Sequence, residues 1–568
     1  MFSLFKNKKA FNVPTILLAS SMFFTGASGF VIQNILSVTA SSILGNTFVQ
    51  FGVTTSLMLG AMGLGGALQK YITQNLLEKF VVIEMILTLL TAFAPIGLYF
   101  SYVIMPEHFT LIQYSWIIAV GLLIGLEIPL ISRINEKYQP ELGENMASIF
   151  TMDYVGSMVG GLVWTFFFLG KLDISTSAFL TAGVNLFVAF ITYTYFVRLN
   201  KERFNWKMPL FLSICFVALV VSPLYVKDWR IDLQQRLFDD PIVLNQTTKY
   251  QNLVLTHNDK LNDYRLFIDG NLQFSSLDEK IYHENLVHPV MTLKMAHRNV
   301  LVLGGGDGMA VRELLKYNDI ENITLVDLDD GMIDLFTNNA TLTELNGSAF
   351  NDARVRKGIG SVETVNLKKN VYMDEGYYDT KKNKFDSDPH KIATVDVFTL
   401  DAYNFVKSFD DIKYDVVIID FPDPSVIELN KLYTQEFFLH LKSVIKDDTM
   451  IAIQSTSPYH AKEAYLCIGR TMESVGFKTI PYHDNVPTFG DWGWYLAWQN
   501  DVTREEVYNQ INSIETFMVN DLVYLTPNTL KSNMNFGKGI LKSNNTDVNT
   551  FLDPVLISYY VQEGWKIE

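Results

Sequence analysis

At 568 residues the chain is longer than one ordinary domain, and a composition that is 49% hydrophobic with 13% aromatic side chains is rich for a wholly water-soluble protein. Only two cysteines occur, Cys215 and Cys467, which excludes a disulfide framework and a thiolate metal site. The formal charge of −15 is unevenly spread: residues 1–226 carry 12 Lys+Arg against 10 Asp+Glu and the remainder 33 against 50, so the acidic second part would repel nucleic acid while tolerating small cations.

Apolar runs of about 20 residues, the length that crosses the hydrocarbon core of a bilayer, occur near 13–40, 48–68, 80–103, 111–132, 147–170, 175–197 and 208–226. The first is too long for the apolar region of a signal peptide and is read as a retained span. Basic residues set orientation. Lys6, Lys8 and Lys9 precede the first run, Lys70 and Lys79 follow the second, Arg133 and Lys137 the fourth, and Arg198, Lys201, Arg203 and Lys207 the sixth, whereas the alternate loops carry only Lys171. This places the N-terminus in the cytoplasm, and seven crossings would then put the acidic part on the other side.

Glu84, Glu127 and Asp153 fall within these runs. A carboxylate at membrane depth is expensive, so it is expected to face the bundle interior, either as part of a cation or proton path or as a helix–helix hydrogen-bonding group. The small residues of "GAMGLGGAL" and "GSMVGG" suit close helix packing. No internal repeat marks this half as a duplicated transporter.

From about Val243 the pattern changes to period-two alternation. "QNLVLTHND" and "YRLFIDGNLQFSS", with a turn at Asp269-Gly270, predict a small antiparallel sheet. Next come "NVLVLGGGDGMAVRELLKY", "NITLVDLDDGMIDLF", "VDVFTLDAYNFV" and "YDVVIIDFPDPS", four strand-led units, then later strands in "DTMIAIQSTSPY" and "GWYLAWQN". Strands alternating with helices predict a doubly wound parallel sheet with its ligand crevice at the strands' carboxyl ends. The polar, lysine-rich stretch 356–393 is read as a surface insertion. The predicted fold class is thus an N-terminal all-α multi-span membrane bundle followed by an α/β Rossmann-like methyltransferase-type domain preceded by a small antiparallel β-sheet. The expected divisions are a membrane domain 1–226, a β-rich part 227–290, a catalytic domain 291–510 and a C-terminal extension 511–568.

Acids recur where these strands end: Asp307 after the first, Asp327 at the second, Asp401 after the third, Asp420 and Asp423 at the fourth. Gly304, Gly305 and Gly306 let a nucleoside-like ligand approach the backbone. Asp327 stands where a carboxylate accepts hydrogen bonds from a ribose diol, and Asp401 where an adenine amino group is met. Asp307 discriminates among ligands. It would repel the carboxylate of S-adenosylmethionine, but pair with the propylammonium that decarboxylation leaves. A primary ammonium has a pKa of about 10 and must lose a proton before attacking a carbon beside a sulfonium. Of Asp420 and Asp423, one carboxylate would take that proton and the other hold the cationic chain. Each of these acids has an alternative role as a helix cap or a solvent-facing group.

With "YQ" at Tyr250-Gln251, "DGNLQFSSLDEKIYHENLVHP" from Asp269, the "GGGDG" loop and "DFPDPS" from Asp420, the sequence resembles the aminopropyltransferases typified by spermidine synthase over about Tyr250 to Trp498. The apolar first half, with "GLEIPL" and "MDYVG", is similar to the membrane-attached bacterial branch of that family. The resemblance implies transfer of an aminopropyl group from decarboxylated S-adenosylmethionine to putrescine or a related amine, giving spermidine and methylthioadenosine. It implies Asp420 as proton acceptor, Asp423 as an amine contact, and Tyr282 as the residue orienting the attacking nitrogen. Gln251, Asp327 and the Asp401-Ala402 pair become adenosine-side contacts, and His283 and Asp307 contacts to the polyamine or aminopropyl group. His283 and His288 would otherwise read as structural.

The co-substrate serves without a cofactor, and no metal is needed because the sulfonium is already a good leaving group. The expected partners are the amine, the donor and a lipid bilayer, with no nucleic acid and with a homo-oligomeric assembly. A multi-pass cell-membrane protein with a cytoplasmic catalytic domain is expected, since the donor is made in the cytoplasm. Departures from the soluble enzymes are Ala402 for a glycine, Phe489 for a tyrosine that helps position the acceptor, Val426-Ile427 for a following proline, and the 356–393 insertion. The alternatives are another amine acceptor, or a polyamine-sensing domain fused to a membrane carrier with Glu84, Glu127 and Asp153 as its cation path. Retention of both Asp307 and Asp420 favours catalysis.

Overall fold

The computed structural model describes residues 13–44, 47–169, 171–200, 206–352, 355–358, 394–408 and 413–563. Apart from 356–358, the expected insertion at 356–393 lies outside the described residues. The chain forms two units, Met1–Asp239 and Asp240–Glu568.

The first unit holds α1 (Val13–Leu44), α2 (Thr47–Leu68), α3 (Leu76–Ile104), α4 (Phe109–Asn135), α5 (Leu142–Val163), α6 (Ile174–Asn200) and α7 (Lys207–Gln235). Among its described residues, seven stretches, from Val13–Leu44 to Lys207–Val226, are long and apolar enough to cross a membrane, and they coincide with the seven apolar runs. The last helix continues past 226 to Gln235. α1 packs on α5, α2 on α4 and α3 on α6. A Cβ on Gly125 would overlap the Met62 carbonyl oxygen, and one on Gly156 that of Phe23. Glycine therefore lets these helices meet backbone to backbone, which maximises van der Waals contact between them.

Polar side chains link the helices: Gln113 Nε2 donates to Gln50 Oε1 at 3.0 Å and Asn135 Nδ2 to Asn145 Oδ1 at 2.9 Å. Glu84 and Glu127 are buried in the bundle, facing its interior as the sequence predicts. Asp153 is half-buried.

The second unit begins with β1 (Ile242–Thr247), β2 (Asn252–Asn258), β3 (Asp263–Ile268) and β4 (Asn271–Ser275), an antiparallel sheet in sequence order. Positive φ at Asp269 (49°) and Gly270 (84°) makes the β3–β4 turn, matching the right-handed strand twist. After α8 (Glu279–Leu293) come β5 (Asn299–Gly304), α9 (Met309–Leu314), β6 (Asn322–Asp327), α10 (Asp330–Asn338), α11 (Ala340–Leu345), β7 (Val355–Gly358) and β8 (Thr394–Thr399). Then follow α12 (Ala402–Ser408), β9 (Tyr414–Asp420), α13 (Ile427–Asn430), α14 (Gln435–Leu441), β10 (Ile445–Gln454), α15 (Lys462–Ser474), β11 (Lys478–Val486) and β12 (Gly490–Trp498). Beyond these lie α16 (Arg504–Ser513), α17 (Pro527–Asn533) and α18 (Val555–Ser558).

The large sheet runs β11-β12-β10-β9-β5-β6-β8-β7, parallel from β10 to β7, with β12 and β11 antiparallel. Two strands of this large sheet were not read from sequence. β7 is short and adjoins the insertion; β11 contains Pro481, which a strand tolerates at a sheet edge, where β11 lies. Alternate residues of the central strands enter cores on opposite faces, Val302 and Ile418 in one, Leu303 and Ile419 in the other. Both faces are therefore covered, which is why these strands read as continuous apolar runs. β5 has β6 on one side and β9 on the other, so the winding reverses there and opens a crevice at the strands' carboxyl ends.

Candidate active site

The crevice begins where β5 ends. Gly304 pairs in register with Asp420 of β9 and has φ of 82°, and a Cβ on it would overlap the Asp420 carbonyl oxygen. Glycine is thus required by both conformation and space. A Cβ on Gly306 would come 2.8 Å from Asp327 Cγ, and its N–H donates to Asp327 Oδ2 at 3.0 Å. The helix after the loop, Met309–Leu314, is short, so close backbone approach rather than a long helix dipole characterises this loop. Asp307 Oδ1 accepts from the Met309 N–H at 2.9 Å.

Asp327 ends β6. Its Oδ1 accepts from the Asp329 N–H at 2.9 Å, so each oxygen holds one backbone donor and keeps a second lone pair. Burial pushes this carboxyl up to about 6. The turn carrying Gln251 reaches the same region, since Thr248 Oγ1 donates to Asp329 Oδ2 at 2.7 Å and Thr248 N–H to Gln251 O at 2.8 Å. Asp401 follows β8, adjacent to β6; its Oδ1 caps α12 through the Asn404 N–H at 3.0 Å and its Oδ2 is ion-paired with Lys431. Ala402 is buried at the start of that helix.

Asp420 ends β9, and the Tyr282 hydroxyl donates to its Oδ1 at 2.6 Å. Burial pushes Asp420 up to about 6, opposed by the His283 charge, reinforced by Asp307, and opposed again by the Tyr282 bond. His283, one residue on in α8, is buried, with Nδ1 2.9 Å from Glu279 Oε2. Arg312 clamps Glu279 with two bonds of 3.0 and 2.8 Å. Burial opposes an imidazolium at His283, but the Glu279 bond and the charges of Asp307, Glu279 and Asp420 raise its pKa. Glu279 is itself held at about 2 despite burial, by His283 and Arg312. Asp423 is half-buried, and burial brings it also to about 6. Its carboxylate receives hydrogen bonds from Thr456, Gln454 and Tyr560.

Aromatic rings wall the Tyr282 side. Its centroid lies 5.7 Å from Trp494, 6.4 Å from Trp492 and 6.5 Å from Phe489. The structure therefore brings Tyr282, His283, Asp307, Asp420 and Asp423 together as one acidic, aromatic-flanked group at the strands' carboxyl ends, with Gln251, Asp327 and Asp401-Ala402 along the strand ends beside it. Such a grouping suits a cation with a methylene chain: acids meet its charge and rings its apolar length.

Sequence reasoning missed the supports. Glu279 lies one helical turn before His283, a spacing that signals contact, but Arg312, Gln454, Thr456 and Tyr560 carry no local signal. His288 is structural, bonded to Tyr317 and Glu313 at 2.9 and 3.0 Å. Glu284 of "YHE" holds the C-terminal extension, accepting from the backbone N–H groups of Val523, Tyr524 and Leu525 at 2.7, 2.9 and 2.7 Å.

Residues 279–380 and 361–509 match the family described as Spermine/spermidine synthase domain. The polyamine aminopropyltransferase of Leptospira interrogans is 32% identical over 96% of this chain and 98% of its own. Polyamine aminopropyltransferase 2 of Aquifex aeolicus is 34% identical over 95% and 97%. Among solved structures, the spermidine synthase of Thermotoga maritima aligns with 53% of this chain and 87% of its own, at 20% identity and a TM-score of 0.40. Matched along nearly its whole length, the chain belongs to the polyamine aminopropyltransferase family of enzymes.

Proposed function

We propose that this enzyme transfers the aminopropyl group of decarboxylated S-adenosylmethionine to putrescine, releasing spermidine and methylthioadenosine. The observation that carries the reading is the Asp420 carboxylate, hydrogen-bonded by Tyr282 at 2.6 Å and electrostatically coupled to Asp307 and His283 at the mouth of the glycine loop. Asp327 takes the ribose hydroxyls, Gln251 and Asp401-Ala402 flank the adenosine, and the loop glycines let the donor lie against the backbone. Asp307, with His283 behind it, holds the donor's propylammonium.

The acceptor's ammonium enters among Tyr282, Asp420 and Asp423. Asp420 takes one proton, and the freed nitrogen lone pair attacks the propyl carbon next to sulfur. A C–N bond forms as the C–S bond breaks, and the bonding pair returns to sulfur as the neutral thioether of methylthioadenosine. A carboxyl near 6 is closer than an ordinary aspartate to the amine's pKa of about 10, which eases this transfer. The donor is a substrate, and the reaction uses no resident cofactor or metal.

The test is methylthioadenosine release from the detergent-solubilised protein with the donor and a panel of amines. Putrescine should give turnover that an Asp420→Asn variant lacks; no release above that control sinks the reading. Phe489, 4.9 Å from Trp492 and without a hydroxyl, favours a second reading with a different amine acceptor, and turnover with spermidine or cadaverine exceeding that with putrescine would select it. The sensing alternative predicts amine binding without any release.

The seven long apolar helices among the described residues support a multi-pass protein of the cell membrane; its catalytic unit is assigned to the cytoplasm because the donor is made there. This orientation requires either the lysine-bearing loops on the outer side or one helix that does not cross. Labelling exposed Lys260 with a membrane-impermeant amine reagent in sealed vesicles decides it; labelling from outside refutes the cytoplasmic side.

A further inference from the structure

Asp423 receives a hydrogen bond from a segment far along the chain, beyond the large sheet. Its Oδ2 accepts from the Tyr560 hydroxyl at 2.8 Å and from Thr456 Oγ1 at 3.1 Å, while Oδ1 has one long bond, from Gln454 Nε2 at 3.3 Å. A carboxylate oxygen accepts two hydrogen bonds in good geometry. Oδ2 is therefore filled, and Oδ1 keeps the room that a substrate ammonium needs.

Tyr560 stands 137 residues beyond Asp423, in the helical turn Tyr559–Glu563 that follows α18. The segment leading to it is tied down. Asn549 is fully buried and donates to the Tyr433 carbonyl at 3.1 Å, while its side-chain oxygen accepts from the N–H of buried Leu556 at 3.3 Å. The Tyr559 hydroxyl is bonded to Asp547. Tyr433, in turn, donates to the Pro422 carbonyl at 3.0 Å, beside Asp423. The end of the chain is thus built onto the wall of the amine site.

Resting on the aminopropyltransferase reading above, we propose that Tyr560 is a positioning residue of the amine site, orienting the Asp423 carboxylate so that Oδ1 meets the acceptor's ammonium. The C-terminal extension is then part of the acceptor site.

The physical grounds are orientation and charge. Removal of the Tyr560 donor frees the carboxylate to turn about its last torsion, and takes from a half-buried anion one of the bonds that favour its ionised form. Burial pushes Asp423 up, while Tyr560 heads the groups that oppose it, followed by Thr456 and Gln454. Among the described residues, the Asp423 charge in turn acts on two further titratable groups, Tyr433, from the turn before α14, and Tyr282, from α8. Tyr282 donates to Asp420, at the end of β9, and Tyr433 to backbone carbonyls.

The test compares full-length wild type, Tyr560→Phe and Tyr559→Phe by methylthioadenosine release across amine concentration from pH 5 to 8. No release by the wild type with any amine would overturn the underlying reading without bearing on Tyr560. Given turnover, Tyr560→Phe should raise the amine KM roughly ten-fold, the loss of one hydrogen bond to a charged acceptor. The donor KM should hold, and the acid limb of kcat/KM for the amine should move to higher pH. Tyr559→Phe, which removes the neighbouring hydroxyl, should leave the amine KM unchanged. A Tyr560→Phe protein with unaltered amine KM and acid limb overturns the proposal, whatever its melting temperature. Equal KM effects from the two variants also overturn it, because they would assign the effect to docking of the segment.

Discussion

Tyr282→Phe isolates the hydrogen bond on which the proposed base depends. The hydroxyl donates to Asp420 Oδ1 at 2.6 Å, and the substitution leaves the ring against Trp492, Trp494 and Phe489. A hydrogen bond to a charged acceptor contributes roughly 1.5–3 kcal/mol. Because it favours the ionised carboxylate, its loss raises the Asp420 pKa, by about 1–2 units at ~1.4 kcal/mol per unit. Starting from about 6, the acid limb of kcat/KM should move to roughly pH 7–8. The ionised fraction at pH 7 then falls from about nine-tenths to between about one-half and one-tenth. The rate loss should accordingly be larger at pH 6 than at pH 9, where Asp420 is ionised in both proteins. The assay is methylthioadenosine release at subsaturating amine across this range, with circular dichroism to verify folding. A loss of the same factor at every pH would refute the reasoning, because it would mean that Tyr282 places the substrate without tuning the base.

Asp307→Asn should weaken the decarboxylated donor far more than methylthioadenosine, which lacks the propylammonium; equal losses in calorimetric titrations would contradict the pairing. Asp327, Asp420 and Asp423 all sit near 6 in the folded chain against an ordinary value of 3.8, and His283 is raised. The folded state therefore binds protons that the unfolded state does not, and stability should rise as pH falls from 8 to 5, with Glu279, held at about 2, weakening the fold only below about pH 4.5. Thermal unfolding of the ligand-free protein measures this trend, and a melting temperature that falls toward pH 5 would contradict it. Glu284→Ala leaves three backbone N–H groups without their acceptor. At about 1 kcal/mol or more each, the loss should reach ~3 kcal/mol and raise hydrogen exchange at 523–525, whereas unchanged exchange there would refute the anchoring role.

What could be read from the chain was whatever depends on near neighbours. Seven apolar runs were visible because crossing length and hydropathy are local sums, and the strands β5, β6, β8 and β9 because burial on both faces demands unbroken apolar stretches. The acids at their ends were visible for a topological reason: in a doubly wound sheet the carboxyl ends face the ligand. β11 was hidden by Pro481, which argues against a strand unless it lies at a sheet edge, and that position is a property of the assembled sheet.

The sequence by itself determined the two-part organisation, the glycine loop and the set of candidate acids. Only the tertiary structure decided what each acid is bonded to. It turned Asp401 onto Lys431 and a helix end, set Arg312 behind Glu279 and His283, made Glu284 an anchor for the C-terminal extension, and brought Tyr560 onto Asp423. Hydrophobic periodicity is written every two to four residues, whereas the partner of a buried carboxylate is chosen by the packing of the whole unit. That choice leaves no trace near the carboxylate in the chain.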